Sequence, residues 1–219
     1  MAVNTMTTEN RINSTRYKEI IAAARKLFPA KGYEATSMNE LIVSLGIAKG
    51  TMYYYFPSKQ CLLEAVVEDI VDEEFTRLKN LLHSSTAQHL SPDEKLRLLL
   101  SEYSGNQDNN RILDILNRPD NSRMYSYQLG RYIEKLAPLY ASIFAPGCGE
   151  GVFNSAYPLE CAEFMIAGIT FLVDPGLYPW SRSQITRRMK ALPFLLEAQL
   201  GALSGFFDES LQNKNTNKE

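Results

Sequence analysis

The sequence predicts an all-α protein, an N-terminal helix-turn-helix unit followed by a larger helical body, with about nine helices in all. Three observations predict it. Apolar residues recur at i, i+3, i+4 and i+7 through most of the chain, and no segment sustains the alternation of a strand. Helix start and stop signals punctuate that periodicity: Ser37-x-x-Glu40, Ser91-Pro92-Asp93-Glu94, and glycines or prolines after the apolar runs. The 219 residues, 45% hydrophobic and 22% charged, supply ample apolar material for a core.

Residues 1–13 are polar and read as a flexible arm, without the apolar stretch of a signal peptide. The first helix runs from Ser14 to Ala30, with Ile20, Ala24, Leu27 and Phe28 as its buried stripe. Pro29 loosens its last turn, and Gly32 is expected to end it as a left-handed cap. Ser37 and Glu40 form a capping box, after which Met38, Leu41, Ile42 and Leu45 make the next stripe. Gly46 breaks that helix, and another begins after Ile47. Two short helices on a tight glycine turn make a helix-turn-helix. Pro57-Ser58 closes the second, and Ser58 caps a long helix from Lys59 to Leu82.

Further helices are expected over 91–103, 108–117 and 121–144, the last kinked at Pro138. Ala145 to Pro158, rich in glycine, reads as a loop, and Leu159 to Val173 as the most apolar helix. Asp174-Pro175-Gly176 is a turn. Ser181 caps a last helix through Phe206, with a kink at Pro193, and residues 208–219 form a polar, flexible tail. The domains are therefore a 1–13 arm, a 14–60 helix-turn-helix domain, a 61–207 helical body and a 208–219 tail.

The short helix after Ile47 carries the most telling pattern. At about 100° per residue, Ala48, Met52 and Phe56 share one side, while Gly50, Tyr53 and Tyr54 fall opposite. Lys49, Thr51 and Tyr55 flank that outer face. An apolar back with a front of hydroxyls, a cation and a glycine suits a groove lined with phosphates, the design of a DNA recognition helix. Charge agrees. Residues 1–60 hold eight Lys/Arg against four Asp/Glu, while residues 61–219 hold fifteen against twenty-one. A basic first quarter on an acidic body fits a chain whose N-terminal part meets a polyanion.

Over residues 16–63 the chain resembles the TetR family of transcriptional regulators. The likeness rests on Ile20-x-x-Ala23-Ala24-x-x-Leu27-Phe28-x-x-x-Gly32-Tyr33-x-x-Thr36-Ser37, on Leu41-Ile42-x-x-x-Gly46-Ile47, and on the unbroken run from Lys49 to Lys59. Beyond Leu63 it is one of architecture. The resemblance implies a homodimeric repressor, released from a palindromic double-stranded operator when the C-terminal domain binds a small effector. By position it places Thr36 or Ser37 at phosphate. It places Lys49, Gly50, Thr51, Tyr53 and Tyr54 in the major groove or on its walls, and Tyr55 and Lys59 at the backbone. Two departures stand out: Ala48 where the family often has serine, and Tyr55 where histidine is common. No Arg, Asn or Gln lies on the exposed face, so base choice is expected to lean on Thr51, the tyrosines and DNA shape.

The last two helices are apolar around most of their circumference and must be buried on more than one side. A four-helix interface with a second copy accomplishes this, with Phe164, Ile169, Phe171, Leu172, Leu192, Leu195, Leu196, Gln199 and Leu203 as its expected residues. The alternative is two central core helices in a monomer. An effector site is expected among Tyr103, Met124, Tyr127, Gln128, Phe164 and Met165, which favours a small apolar or aromatic ligand. A ligand-independent DNA- or protein-binding dimer of the same fold is the second reading, and an all-helical enzyme the third. No Ser/His/Asp or Cys/His arrangement, metal-ligand set or phosphate-binding glycine loop supports an enzyme, so neither catalytic residues nor a cofactor are expected. The odd set of Cys61, Cys148 and Cys161 reads as reduced thiols of a cytoplasmic protein, and no apolar run is long enough for a membrane span.

Overall fold

The computed structural model describes residues 14–102, 122–173 and 180–207, apart from the side chains of residues 101, 102, 122–125 and 173. The expected arm, the 108–117 helix, the Asp174-Pro175-Gly176 turn and the 208–219 tail lie outside the described residues. Within them the chain is all-helical and divides into two compact units, one up to Ile70 and one from Val71 onward.

In the first unit Ser14 opens α1 (Thr15–Lys31), its Oγ accepting the Tyr17 N–H at 3.2 Å. Ile20, Ile21, Ala24 and Phe28 form its buried stripe, and Leu27 is only half-buried. Gly32 ends the helix with φ 94° and ψ 147°. Its φ is positive, but its ψ is extended, so the left-handed helical cap expected there does not form. The short α2 (Met38–Leu45) starts at Ser37 and stops at Gly46, which does take the left-handed conformation with φ 61°. There follow α3 (Lys49–Tyr55) and α4 (Lys59–Leu82). Ser58 Oγ accepts the Cys61 N–H at 3.1 Å, as a cap should. Leu62, Leu63, Val66, Val67 and Ile70 on α4 are all buried, and so the first unit reaches past the boundary at residue 60 that the motif suggested.

The second unit holds the rest of α4, a 3₁₀ turn (Ala87–His89), α5 (Pro92–Glu102), α6 (Ser122–Gly149), α7 (Pro158–Val173) and α8 (Arg182–Leu200). Its core is built from Leu78, Leu96, Phe144, Phe153, Ala162 and Phe207. Two expectations are corrected here. The loop expected from Ala145 is helix up to Gly149, through Pro146. Gly147 is buried against the Phe153 ring, where any Cβ would collide, and its carbonyl accepts the N–H groups of Val152 and Phe153 at 2.9 and 3.0 Å. That glycine serves close packing rather than a turn.

The last helix ends at Leu200, not Phe206. Gly201 turns left-handed with φ 60°, and the Leu200 carbonyl accepts the Asn154 N–H at 2.7 Å. The chain then folds back under the control of Glu197. This buried carboxylate accepts the N–H groups of Gly205 and Phe207 at 3.1 and 3.0 Å, which seats Phe207 in the core. At the other end of α8 the Ser181–Gln184 capping box is complete in both directions.

Glu197→Ala leaves two backbone donors without their acceptor. It is expected to cost about 3 kcal/mol in urea unfolding, against no more than a few tenths for Glu160→Ala on the exposed start of α7.

Candidate functional site

α3 is only seven residues long and its N-cap, Ala48, makes no side-chain cap. Its place is fixed from behind. Met52 and Phe56 are buried, and the Phe56 ring stacks on Tyr17 of α1 with centroids 4.9 Å apart. Tyr17 also meets Tyr55 edge-on at 6.2 Å, and Ser14 Oγ donates to the Tyr55 hydroxyl at 3.1 Å. The start of α1 therefore holds the end of α3 by a cap residue and a ring. With the back secured, Lys49, Gly50, Tyr53 and Tyr54 are exposed on the outer side, and Thr51 and Tyr55 are half-buried at its margins. The Lys49 ammonium lies 5.9 Å from the Tyr53 ring centroid and joins no ion pair among the described residues. Tyr54 and Tyr55 meet edge-on at 5.1 Å, which limits how far either ring can swing.

Three of the residues expected at DNA make contacts within the first unit. Thr36 is 1% exposed and its hydroxyl donates to the Gly32 carbonyl at 2.8 Å, so Ser37 is the member of the pair left at the surface. Ser37 Oγ accepts the Glu40 N–H at 3.1 Å, but Glu40 does not complete the box. Its carboxylate takes the Lys31 ammonium at 2.6 Å instead. Lys59 is the third. Its ammonium donates to the carbonyls of Tyr33 and Glu34 at 3.0 and 3.3 Å and lies 4.3 Å above the Tyr33 ring. The Glu34 carboxylate stands 3.6 Å away. Lys59 thus ties the start of α4 to the α1–α2 turn, the segment that presents Ser37.

Val43, near the end of α2, is a residue the sequence reading passed over. It is 80% exposed, although Leu41 two places before it is fully buried. Its place on the far side of the stripe was the available signal.

In the second unit, α5, α6, α7 and α8 enclose an apolar cavity of about 90 Å³. Tyr132, Tyr140, Met165, Ile169, Thr170 and Met189 are among its walls, and no charged side chain lines it among the described residues. Of the expected effector residues, Met165 lines it. Gln128 is buried one helical turn before Tyr132, and Tyr127 is partly exposed and off the lining. Phe164 points outward at 72% exposure, so it belongs to the surface and not to the cavity. Tyr103 lies outside the described residues, as does the side chain of Met124.

The expected dimer set also divides. Leu192 and Leu196 are buried and face the cavity with Ile169, because they share the inward arc of α8 with Leu200. Gln199 is half-buried and donates to the Cys161 carbonyl at 2.7 Å. The outward residues are Phe164, Phe171 and Leu172 on α7 and Leu195 and Leu203 on or after α8. The structure adds Phe194, 55% exposed beside Leu195.

Comparison with known proteins gives a consistent picture. The model for "Bacterial regulatory proteins, tetR family" matches residues 20–66, and that for "Tetracyclin repressor-like, C-terminal domain" matches residues 104–194. The uncharacterized HTH-type transcriptional regulator YuxN of Bacillus subtilis is 35% identical over 91 residues, 42% of this chain and 31% of that protein. The HTH-type transcriptional repressor KstR2 of Mycolicibacterium smegmatis is 34% identical over 83 residues, 38% of each chain. The aligned stretch thus spans about a third of the length of these curated relatives. A crystal structure of a TetR/AcrR-family regulator from Thermobifida fusca superposes with a TM-score of 0.56 at 26% identity, covering 84% of this chain and 97% of that one.

The Lys31 ammonium beside Glu40 holds that carboxyl below the usual glutamate range. With a depressed folded pKa, the contact is present above the unfolded value and is lost as pH falls through the folded one. Carboxyl NMR titration should place the Glu40 midpoint below that of an isolated surface glutamate, and Lys31→Ala should raise it.

Proposed function

This chain belongs to the TetR family of DNA-binding transcriptional regulators, and from that premise we propose that it acts as a homodimeric repressor released from its operator by a small ligand. It is a transcription factor, not an enzyme. The observation that carries the DNA-binding half of the proposal is the anchored α3: Met52 and Phe56 buried, and Lys49, Gly50, Tyr53 and Tyr54 exposed together. In this reading α3 lies in the major groove. Lys49 meets phosphate, Gly50 lets a strand come close, and Thr51, Tyr53 and Tyr54 contact bases and groove walls. Ser37 meets phosphate at the start of α2, and Tyr55 donates its own O–H there while accepting from Ser14. Thr36 and Lys59 act at one remove, by holding the turn that carries Ser37.

The outward apolar faces of α7 and α8 support a dimer. Phe164 and Phe171 stand seven residues apart on the same side of α7, and Phe194 and Leu195 supply the matching surface on α8. A patch of this kind on a chain without a partner would be an aggregation liability, and a second copy about a two-fold axis covers it symmetrically. Repression is supported by the printed name of the KstR2 relative. The apolar cavity supports a ligand, and a palindromic operator follows from the dimer. The protein works in the cytoplasm, where its DNA is.

Two outcomes test this. In a salt titration of binding to an isolated operator, Lys49→Ala should flatten the logarithmic slope by about one unit. Lys59→Ala should weaken binding at every salt concentration and leave that slope unchanged. In sedimentation, wild type should run as a dimer and Leu195→Glu as a monomer. The monomer should bind operator about a hundredfold more weakly, because two linked half-site contacts become one.

A further inference from the structure

We infer that the outward face of α7 and α8 is keyed by charge: Arg187 and Lys190 of one copy meet Glu160 and Glu163 of a second, once on each side of the two-fold axis. The inference rests on reading that face as the dimer interface, and gives its register. Glu160 is exposed four residues before Phe164 at the start of α7, and Glu163 is half-buried at the margin of the same face. On α8, Lys190 and Arg187 are exposed four and seven residues before Phe194 and continue its outward row. Together with Arg182 they line one open recess, so the three cations share a side. The two helices run antiparallel. Gln199 near the end of α8 donates to the Cys161 carbonyl near the start of α7 at 2.7 Å, while Thr170 late in α7 and Met189 early in α8 line a common cavity. The carboxylates and the cations therefore sit at opposite ends of one apolar face.

None of these four charges joins an ion pair among the described residues. Their neighbour Arg188 differs: its guanidinium lies 3.6 Å from the Trp180 ring centroid and donates to the Gln184 carbonyl at 3.1 Å. A two-fold axis in the plane of the interface can run along the helices or across them. Along them, like ends meet, and carboxylate faces carboxylate. Across them, each acidic end meets a cationic end, and symmetry makes the contact twice. An exposed ion pair returns little, whereas like charges set together are costly. The apolar patch thus supplies the affinity, and the charged ends select the arrangement. A face that carries both halves of its own complement fits a second copy of this chain.

The test is charge reversal in the full chain, read as the dimer dissociation constant by sedimentation equilibrium. Arg187→Glu with Lys190→Glu makes both ends acidic, and Glu160→Lys with Glu163→Lys makes both basic. Each double variant is expected to dimerise at least about tenfold more weakly than wild type. The chain carrying all four changes, and an equimolar mixture of the two double variants, should both return to within about threefold of wild type, which misfolded chains could not do. The wild-type dimer should loosen as salt rises to about 0.5 M. Double variants that dimerise as wild type does refute the register and leave the dimer standing. So does a fourfold variant as weak as the double ones, or a wild-type dimer that salt tightens. A wild-type chain that sediments as a monomer leaves this face to a different protein, and both readings fall.

Discussion

A helix of seven residues has too few internal hydrogen bonds to persist alone, so α3 exists only because something holds its back. What holds it is the burial of Met52 and Phe56 and the stacking of Phe56 on Tyr17. Everything proposed for the N-terminal unit depends on this constraint. Without it the four exposed residues, Lys49, Gly50, Tyr53 and Tyr54, have no common orientation. With it they are offered on one rigid face. The missing serine cap at Ala48 is offset at the other end of the helix, where Ser14 reaches the Tyr55 hydroxyl. Tyr55 stands where the family resemblance leads one to expect histidine. Its ring spans to Tyr17 and its hydroxyl still reaches a cap residue of α1.

The same economy of short contacts governs the turn between α1 and α2. Thr36 closes it through Gly32, Lys59 crosses to its two carbonyls, and Lys31 takes Glu40 from the capping box. Lys59, expected at phosphate from the family resemblance, is engaged within the unit at the Tyr33 and Glu34 carbonyls. In the second unit the equivalent device is Glu197, a buried carboxylate whose two backbone donors fold the end of the chain back into the core.

The sequence revealed most where periodicity and capping agree. The limits of α2 and α4, the serine caps and the inward face of α3 were all legible, because each rests on local spacing or on a single side chain within three residues. It was silent, or misleading, where tertiary packing decides. Gly147 looked like a loop residue and is a seat for Phe153. The last apolar run looked like one helix and is cut at Gly201 by a bond from Asn154. Leu192, Leu195 and Leu196 looked alike in sequence, yet two face the core and one faces out, since only the three-dimensional position of α8 fixes which arc is buried. Thr36 and Lys59 carry groups that suit phosphate, and only their neighbours reveal that those groups are engaged within the protein.

The central claim is that α3 reads DNA and is presented twice by a symmetric dimer. Sequencing of genomic fragments retained by the full-length protein at physiological salt tests it most directly. The account predicts enrichment of an inverted repeat whose half-sites lie about one helical turn apart, roughly 34 Å, and loss of that enrichment with Tyr54→Ala. No enriched sequence, or a single asymmetric site retained equally by Tyr54→Ala, would contradict it.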